Sequence, residues 1–216
     1  MASSQRIIGV DESGKGDFFG PLVVAGCLAS NDDLAVLSAM GVRDSKKIAD
    51  KKLLTIDKQL RARFVFSVVV YPPIEYNRLY EKIRNLNILL AGGHTKAIAG
   101  CLSQGTADLA ISDKFGKSER LEVAMADAGC SLPVKQMVRG EAIPQVAAAS
   151  IIARAEFVRQ MARLSADYGM VLPKGAAPQV DAAGRDLVAR CGASVLVEVA
   201  KTHFKNYGRA LQNTAF

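Results

Sequence analysis

The sequence predicts an α/β fold, a mixed five-stranded sheet covered by helices and continued by a C-terminal helical extension. Three observations lead there. Short apolar runs rich in β-branched residues come first, helical and strand-like stretches then alternate, and a Pro- and Gly-containing loop precedes a last helical part. With 216 residues, 50% of them hydrophobic, the chain can bury a full core, and its length favours a single domain over 1–216, with about 172–216 as the extension.

Arg6 to Val10 and Leu22 to Leu28 are short apolar runs flanking a Gly- and Pro-containing loop, and Phe64 to Val70 is rich in β-branched and aromatic residues. These are the first three strands. Leu109 to Ser112, ending at Asp113, and Pro133 to Val138 supply two more. Helical patterns occupy about Asp50 to Arg61, Pro73 to Ile83, Leu86 to Leu102, Ser118 to Ala128, Gln145 to Ser165 and Val180 to Cys191. The segment Leu172-Pro-Lys-Gly-Ala-Ala-Pro178 marks the start of the extension. No internal repeat or linker separates two halves.

Composition narrows the function. No run of about 18 apolar residues exists to span a membrane, and the start, Met-Ala-Ser-Ser-Gln-Arg, lacks the apolar core of a signal peptide. A cytoplasmic protein with no membrane contact is expected. Cys27, Cys101, Cys130 and Cys191 are far apart, sit mostly among apolar neighbours and form no Cys-x-x-Cys pair, so they read as reduced core residues. The formal net charge is +7, and Arg43 to Arg63 carries eight basic residues against Asp44, Asp50 and Asp57. From Lys201 to the end there are three more basic residues and no acid. Either region is a solvated face or a surface for a polyanion.

The segment Ile7-Ile8-Gly9-Val10-Asp11-Glu12-Ser13-Gly14-Lys15-Gly16-Asp17 runs a strand into adjacent carboxylates and a Gly-Lys-Gly loop. Adjacent strand residues point to opposite faces, so Asp11 and Glu12 hold one cation only if the chain bends or other acids complete the shell. Carboxylates on a divalent cation beside a loop that approaches phosphate are the apparatus of phosphodiester hydrolysis. Gly9 to Lys15 also fits the start of a nucleotide-binding P-loop, but Gly16 stands where that loop needs Ser or Thr, and acids occupy its phosphate cradle. A polar turn with solvated acids is the plainer alternative.

A two-metal phosphodiesterase needs several carboxylates, because two divalent cations about 3.5–4 Å apart must both be held. Asp113 closes a predicted strand, and Glu141 lies in Arg139-Gly-Glu-Ala142 just before a helix that opens with small residues, Val-Ala-Ala-Ala-Ser-Ile-Ile-Ala-Arg154. If those strands neighbour the first, the four acids meet at one sheet edge. Small residues also serve close helix packing. Arg154, Arg159 and Arg163 along that helix are either solvated or face substrate.

The chain resembles the type 2 ribonucleases H, and within them ribonuclease HIII. The resemblance rests on Asp-Glu-Ser-Gly-Lys-Gly-Asp-Phe-Phe-Gly-Pro (11 to 21), Asp-Ser-Lys-Lys (44 to 47), Asn-Leu-Asn-Ile-Leu-Leu-Ala (85 to 91) with His94, Ile-Ser-Asp-Lys-Phe (111 to 115), Ala-Ala-Ala-Ser-Ile-Ile-Ala-Arg (147 to 154) and Leu-Pro-Lys-Gly-Ala (172 to 176), in family order over nearly the whole chain. It implies a ribonuclease H-like fold and endonucleolytic hydrolysis of the RNA strand of RNA/DNA hybrids, leaving 5′-phosphate and 3′-hydroxyl ends. By position, Asp11, Glu12, Asp113 and Glu141 match the family's metal-binding acids, for two Mg2+ or Mn2+ ions. Gly14, Lys15 and Gly16 match the loop that contacts the backbone and 2′-hydroxyls around the scissile phosphate, and a 2′-hydroxyl contact tells RNA from DNA. Ser45, Lys46, Ser150 and Lys174 match further substrate contacts.

Lys15, where ribonuclease HII usually has Arg, and Glu141, where it often has Asp, favour the HIII side. Ala176 follows Lys174-Gly175 where ribonuclease HII places a junction-sensing tyrosine, so cleavage at single ribonucleotides in duplex DNA is expected to be weak. Typical HIII proteins carry an N-terminal domain resembling a TATA-box binding protein, whereas the first predicted strand here begins at residue 6. Hybrid affinity is then expected from the basic face of the catalytic domain, with no obligate protein partner. A module that holds hybrids without cutting them is the remaining alternative. His94 and His203 read as structural or substrate-facing rather than as proton carriers.

Overall fold

The computed structural model describes residues 4–212. Five strands, β1 (Arg6–Ser13), β2 (Leu22–Ser30), β3 (Val65–Tyr71), β4 (Leu109–Asp113) and β5 (Val134–Met137), form one mixed sheet in the order β3-β2-β1-β4-β5. The helices are α1 (Leu34–Ala39), α2 (Asp50–Arg63), α3 (Pro73–Ile83), α4 (Leu86–Leu102), α5 (Ser118–Asp127), α6 (Pro144–Asp167), α7 (Pro178–Cys191), α8 (Val195–Val199) and α9 (Lys205–Leu211). Every strand and long helix expected from the sequence is present. The short helices α1, α8 and α9 were not individually predicted, because five to seven residues hold too little periodicity to show.

The chain divides into two compact units. One comprises 1–12, 24–69 and 85–155, and the other 13–23, 70–84 and 156–216.

The first unit is built around the middle strands. β1 and β4 pair in parallel with Gly9 opposite Ile111 and Val10 opposite Ser112, and β4 pairs in parallel with β5. Alternation along β1 sorts its side chains between two helices. Ile7 packs with Ile111 against Val146 of α6, and a Cβ on Gly9 would collide with the backbone of Gln145 and Val146. Glycine therefore lets α6 lie directly on the strand, and the buried Ala147, Ala148 and Ala149 continue that close approach. The opposite face receives α4, where a Cβ on Gly26 of β2 would crowd the carbonyl of Ala97 and the Cys101 sulfur. One side of α4 is buried, with Leu90, Ala91, His94, Ala97, Ile98 and Cys101 on it and His94 at 0% exposure. Its N-terminus is capped by the Asn85 side chain, which accepts from the Asn87 N–H.

In the second unit the final helices pack on one another, α7 on α8 and α9 and α3 on α8. Gly184 admits Ala210 at the α7–α9 crossing, where an added Cβ would stand 2.8 Å from the Ala210 methyl. Residues 13–23 belong to this unit: Phe19 bridges to Ala200, and the rings of Phe18 and Phe204 lie 6.2 Å apart. The expected extension therefore packs with an early loop of the chain. No helix among the described residues is long and apolar enough to cross a membrane.

Candidate active site

β1 continues through Ser13, three residues beyond the expected end, so Asp11 and Glu12 stand in the strand itself. One step past the Val10–Ser112 pair, the register sets Asp11 beside Asp113 at the ends of neighbouring parallel strands. Odd residues of both strands face α6, and accordingly the Asp11 carboxylate accepts a hydrogen bond from the Ser150 hydroxyl. Asp11 Oδ1 also accepts from the Glu12 N–H at 2.8 Å. Glu12 points to the other face, where its Oε2 lies 3.1 Å from His94 Nε2.

Asp113 Oδ1 accepts from the Gly140 N–H at 2.8 Å. That contact depends on a sharp turn: Arg139 takes a left-handed conformation (φ 57°), and residues 140–142 form a 3-10 turn against the end of β4. A Cβ on Gly140 would stand 2.9 Å from the Asp113 Cα, so only glycine permits it. Glu141 is thereby the residue next to the one that ties Asp113. Its carboxylate is partly exposed and makes no hydrogen bond or ion pair among the described residues.

Burial pushes the Asp11 carboxyl up to about 7, helped by the charges of Glu12 and Asp113 and opposed by the bonds from Ser150 and the Glu12 N–H. Both charged groups acting on Asp11 are acids. The donor set fits a hard divalent cation: carboxylate oxygens, sunk partly into the protein, repelling one another. Among the described residues, however, no three His, Cys, Asp or Glu side chains stand close enough together to hold a metal ion. The reason lies in the alternation above. Asp11 and Asp113 share a face, and Glu12 leans to the other, held there by His94.

His94 is fixed at both nitrogens. Its Nδ1 lies 3.0 Å from Ser112 Oγ, which in turn donates to the Asp113 carbonyl at 2.8 Å, and the Phe115 ring packs beside it with centroids 4.6 Å apart. The imidazole thus orients Glu12, a role its mid-helix place in the sequence did not reveal.

The Asp44-Ser45-Lys46 segment forms a 3-10 turn, with the Asp44 side chain accepting from the Lys46 N–H at 3.0 Å. Lys46 is exposed, whereas Ser45 and Ser150 are buried with their hydroxyls 2.9 Å apart. A hydrogen-bonded line therefore runs from Ser45 through Ser150 to Asp11. Arg154 clamps the turn, donating through Nη1 to the Ser45 carbonyl and through Nη2 to Asp50 at 3.0 Å. Arg159 instead pairs with Glu156 on its own helix, and Arg163 is exposed.

The remaining expected contacts belong to the second unit. Gly14 adopts φ 85°, and a side chain there would strike the Pro21 carbonyl and the Phe157 ring. Gly16 is exposed with open space around it, and Lys174 is exposed. Asp17 Oδ1 accepts from the Gly175 N–H at 2.6 Å, and the Phe18 N–H donates to the Gly175 carbonyl at 2.9 Å, so the 14–18 and 174–175 segments are tied together. His203 is exposed and stacks on Tyr80, 4.1 Å between centroids.

A mixed five-stranded sheet in the order β3-β2-β1-β4-β5, with Asp11 and Asp113 on neighbouring parallel strands, defines the class: a ribonuclease H-type fold. The family model described as Ribonuclease HII matches residues 8–207, and the chain belongs to this family, the type 2 ribonucleases H, which are hydrolases of phosphodiester bonds. Its relatives include proteins named Ribonuclease HIII from Chlamydia felis, 41% identical over 203 residues, and from Chlamydia pneumoniae, 42% identical over 203 residues. Each alignment covers 93% of this chain and 68% of the relative. Among solved structures, Bst ribonuclease HIII in complex with Mn2+ superposes with a TM-score of 0.91 at 32% identity, covering 96% of this chain and 70% of that one.

Proposed function

We propose that the chain cleaves the RNA strand of RNA/DNA hybrids endonucleolytically, leaving 5′-phosphate and 3′-hydroxyl ends. The observation that carries this reading is Asp11, flanked by Glu12 and set by the strand register beside Asp113, in a chain whose residues 8–207 match the type 2 ribonuclease H family. Two Mg2+ or Mn2+ ions, held by Asp11, Glu12, Asp113 and Glu141, would activate the attacking water and stabilise the departing 3′ oxygen. Asp11 and Asp113 offer carboxylates on one face. Glu141 follows the turn that ties Asp113, and Glu12 comes from the opposite face under the control of His94.

The chain's own residues then bind and orient the nucleic acid. Gly14, Lys15 and Gly16, one residue after the acids in sequence, approach the backbone and 2′-hydroxyls at the cut. Lys46 and Lys174 present exposed ammonium groups to phosphates, while Ser45 and Ser150 link the Lys46 turn to Asp11. Chain 1–216 acts as one catalytic domain, with 172–216 as its helical extension. Its outermost residues, 1–3 and 213–216, lie outside the described ones. A reducing compartment such as the cytoplasm suits the four free cysteines, of which Cys27 and Cys101 are buried as expected while Cys130 is half-buried and Cys191, at the end of α7, is exposed rather than in the core.

The deciding experiment incubates a labelled RNA/DNA hybrid with the protein and Mg2+ or Mn2+. Cleavage of the RNA strand to 5′-phosphate fragments is expected, and binding without cleavage would favour a hybrid-holding module. Comparable cutting at a single embedded ribonucleotide would instead place the protein with ribonuclease HII-type repair, against the expectation from Ala176. Hybrid affinity should fall steeply with salt, because phosphate contacts release counterions, and a flat response would contradict binding through basic residues.

A further inference from the structure

Lys201 is the unexpected charge of the second unit. It is 0% exposed, and it follows Val195 to Ala200, a stretch apolar except for Glu198, although lysine is rarely a core residue. Its ammonium donates to two carbonyls of one loop, Asp17 at 2.8 Å and Gly20 at 2.7 Å, and lies over the Tyr76 ring at 5.6 Å. The backbone repeats the attachment: the Lys201 N–H donates to the Phe18 carbonyl at 2.9 Å, and the Gly20 N–H to the Val199 carbonyl at 2.8 Å. These bonds satisfy the Asp17, Phe18 and Gly20 carbonyls, in the loop that carries Lys15.

Five residues on, Asn206 does the same for the other loop. Its buried amide donates to the Ala176 carbonyl at 3.1 Å and to Asp181 Oδ1 at 2.5 Å, and Asp181 Oδ2 lies 3.4 Å from Arg209 Nη1. Between the two attachments, Asp17 Oδ1 holds the Gly175 N–H. One short stretch, 201–206, therefore grips both the segment carrying Lys15 and the segment carrying Lys174.

We propose that Lys201 and Asn206 are positioning residues for hybrid binding, which hold the Gly14–Lys15–Gly16 and Lys174–Gly175 loops in their binding shape before the nucleic acid arrives. The proposal rests on the reading that these loops contact substrate. Burial opposes the Lys201 charge and lowers it to about 7, with Asp17 pulling the other way, so an amine is retained here at a cost that simple packing does not require. Neither residue touches the acids' chemistry. Its loss should act on binding, since loops that must be ordered on contact weaken affinity without altering the cleavage step.

The test replaces Lys201 with Met, and separately with Gln, and Asn206 with Ala. Amide hydrogen exchange on the metal-free protein reads the fastening directly. Exchange at 14–18 and 175–176 should accelerate about tenfold or more, with the β1 and β4 amides unchanged. Kinetics on a long hybrid then read the consequence: KM rises about tenfold with kcat within about twofold, and Gln, which still donates, recovers part of the loss. In a Lys15→Ala background the KM penalty of Lys201→Met should largely vanish, because the loop no longer has its contact to present. Unchanged loop exchange, a fall in kcat alone, or penalties that multiply would each overturn the proposal. Should Lys201→Met fail to fold, Asn206→Ala carries the same readouts on the second loop. If exchange accelerates but Lys15→Ala itself binds hybrids as the wild type does, the fastening stands and the substrate-loop reading falls.

Discussion

Asp11 in the first unit and Lys201 in the second are both displaced to about 7, in opposite directions and amid opposite surroundings. Desolvation is the largest cause for each. Around Lys201 the protein has answered the charge, with two carbonyls at hydrogen-bond distance and an aromatic ring, and Asp17 favours the protonated form. Around Asp11 it has done the reverse, surrounding a carboxylate with two more. A buried charge with its partners in place is finished structure. Acidic charges gathered around one buried carboxylate are suited to a cation.

The sharpest way to break that contrast is to remove an acid. Asp11→Asn or Asp113→Asn should lower hybrid cleavage by roughly a thousandfold or more, with circular dichroism and urea midpoint showing an intact fold. Relief of repulsion should leave metal-free Asp11→Asn at least as stable as wild type at neutral pH. A variant that cuts at near wild-type rate would remove Asp11 or Asp113 from the chemistry.

His94 tests the same centre from behind. The ring touches no solvent and fixes the orientation of the Glu12 carboxylate through Nε2. His94→Ala should lower kcat and raise the metal concentration for half-maximal activity by about 10- to 100-fold, the range for a lost partner of a ligating side chain. His94→Gln, which can still bond Glu12, should recover part of this. If His94→Ala alters only stability and leaves the metal dependence unchanged, the imidazole is core packing and nothing more.

These roles were unequally legible in the sequence. The strands and long helices showed through the period of their apolar residues, and the acids through their places at strand ends: Asp113 follows Leu-Ala-Ile-Ser, and Glu141 follows a glycine. Alternation also warned that Asp11 and Glu12 would diverge, and they do. What could not be read was partnership across long separations. Nothing near His94 in the chain names Glu12, 82 residues away, nor does anything near Arg154 name Ser45, 109 residues away. Lys201 reads by charge as part of a basic tail, although the stretch before it, Val195 to Ala200, is apolar except for Glu198.

Arg154 gives the next effect in size. It is half-buried and fixes the turn that carries Lys46, whose other link to the centre is the Ser45–Ser150 pair. Arg154→Ala should raise KM several-fold with little change in kcat. Arg154→Lys should not restore it, because one ammonium cannot reproduce the two directed bonds of the guanidinium. Equal losses in kcat would mean that the Ser150 line transmits the damage to Asp11 itself.

The smallest effect concerns stability and follows from Lys201. Its folded value, about 7, lies below the ordinary lysine value of 10.5, so between those limits the unfolded chain binds more protons than the folded one. Stability from this group is therefore complete above about 10.5 and declines as the pH falls through about 7. Wild type should gain on Lys201→Met as the pH is raised from 7 towards 10, measured as the difference between their urea midpoints so that other titrations cancel. His203, lowered by burial and by the Lys201 charge, lies below this window and should leave the trend unaltered. A constant difference across the range would mean that Lys201 keeps its proton in the folded protein, and that its two carbonyl partners outweigh the cost of burying the charge.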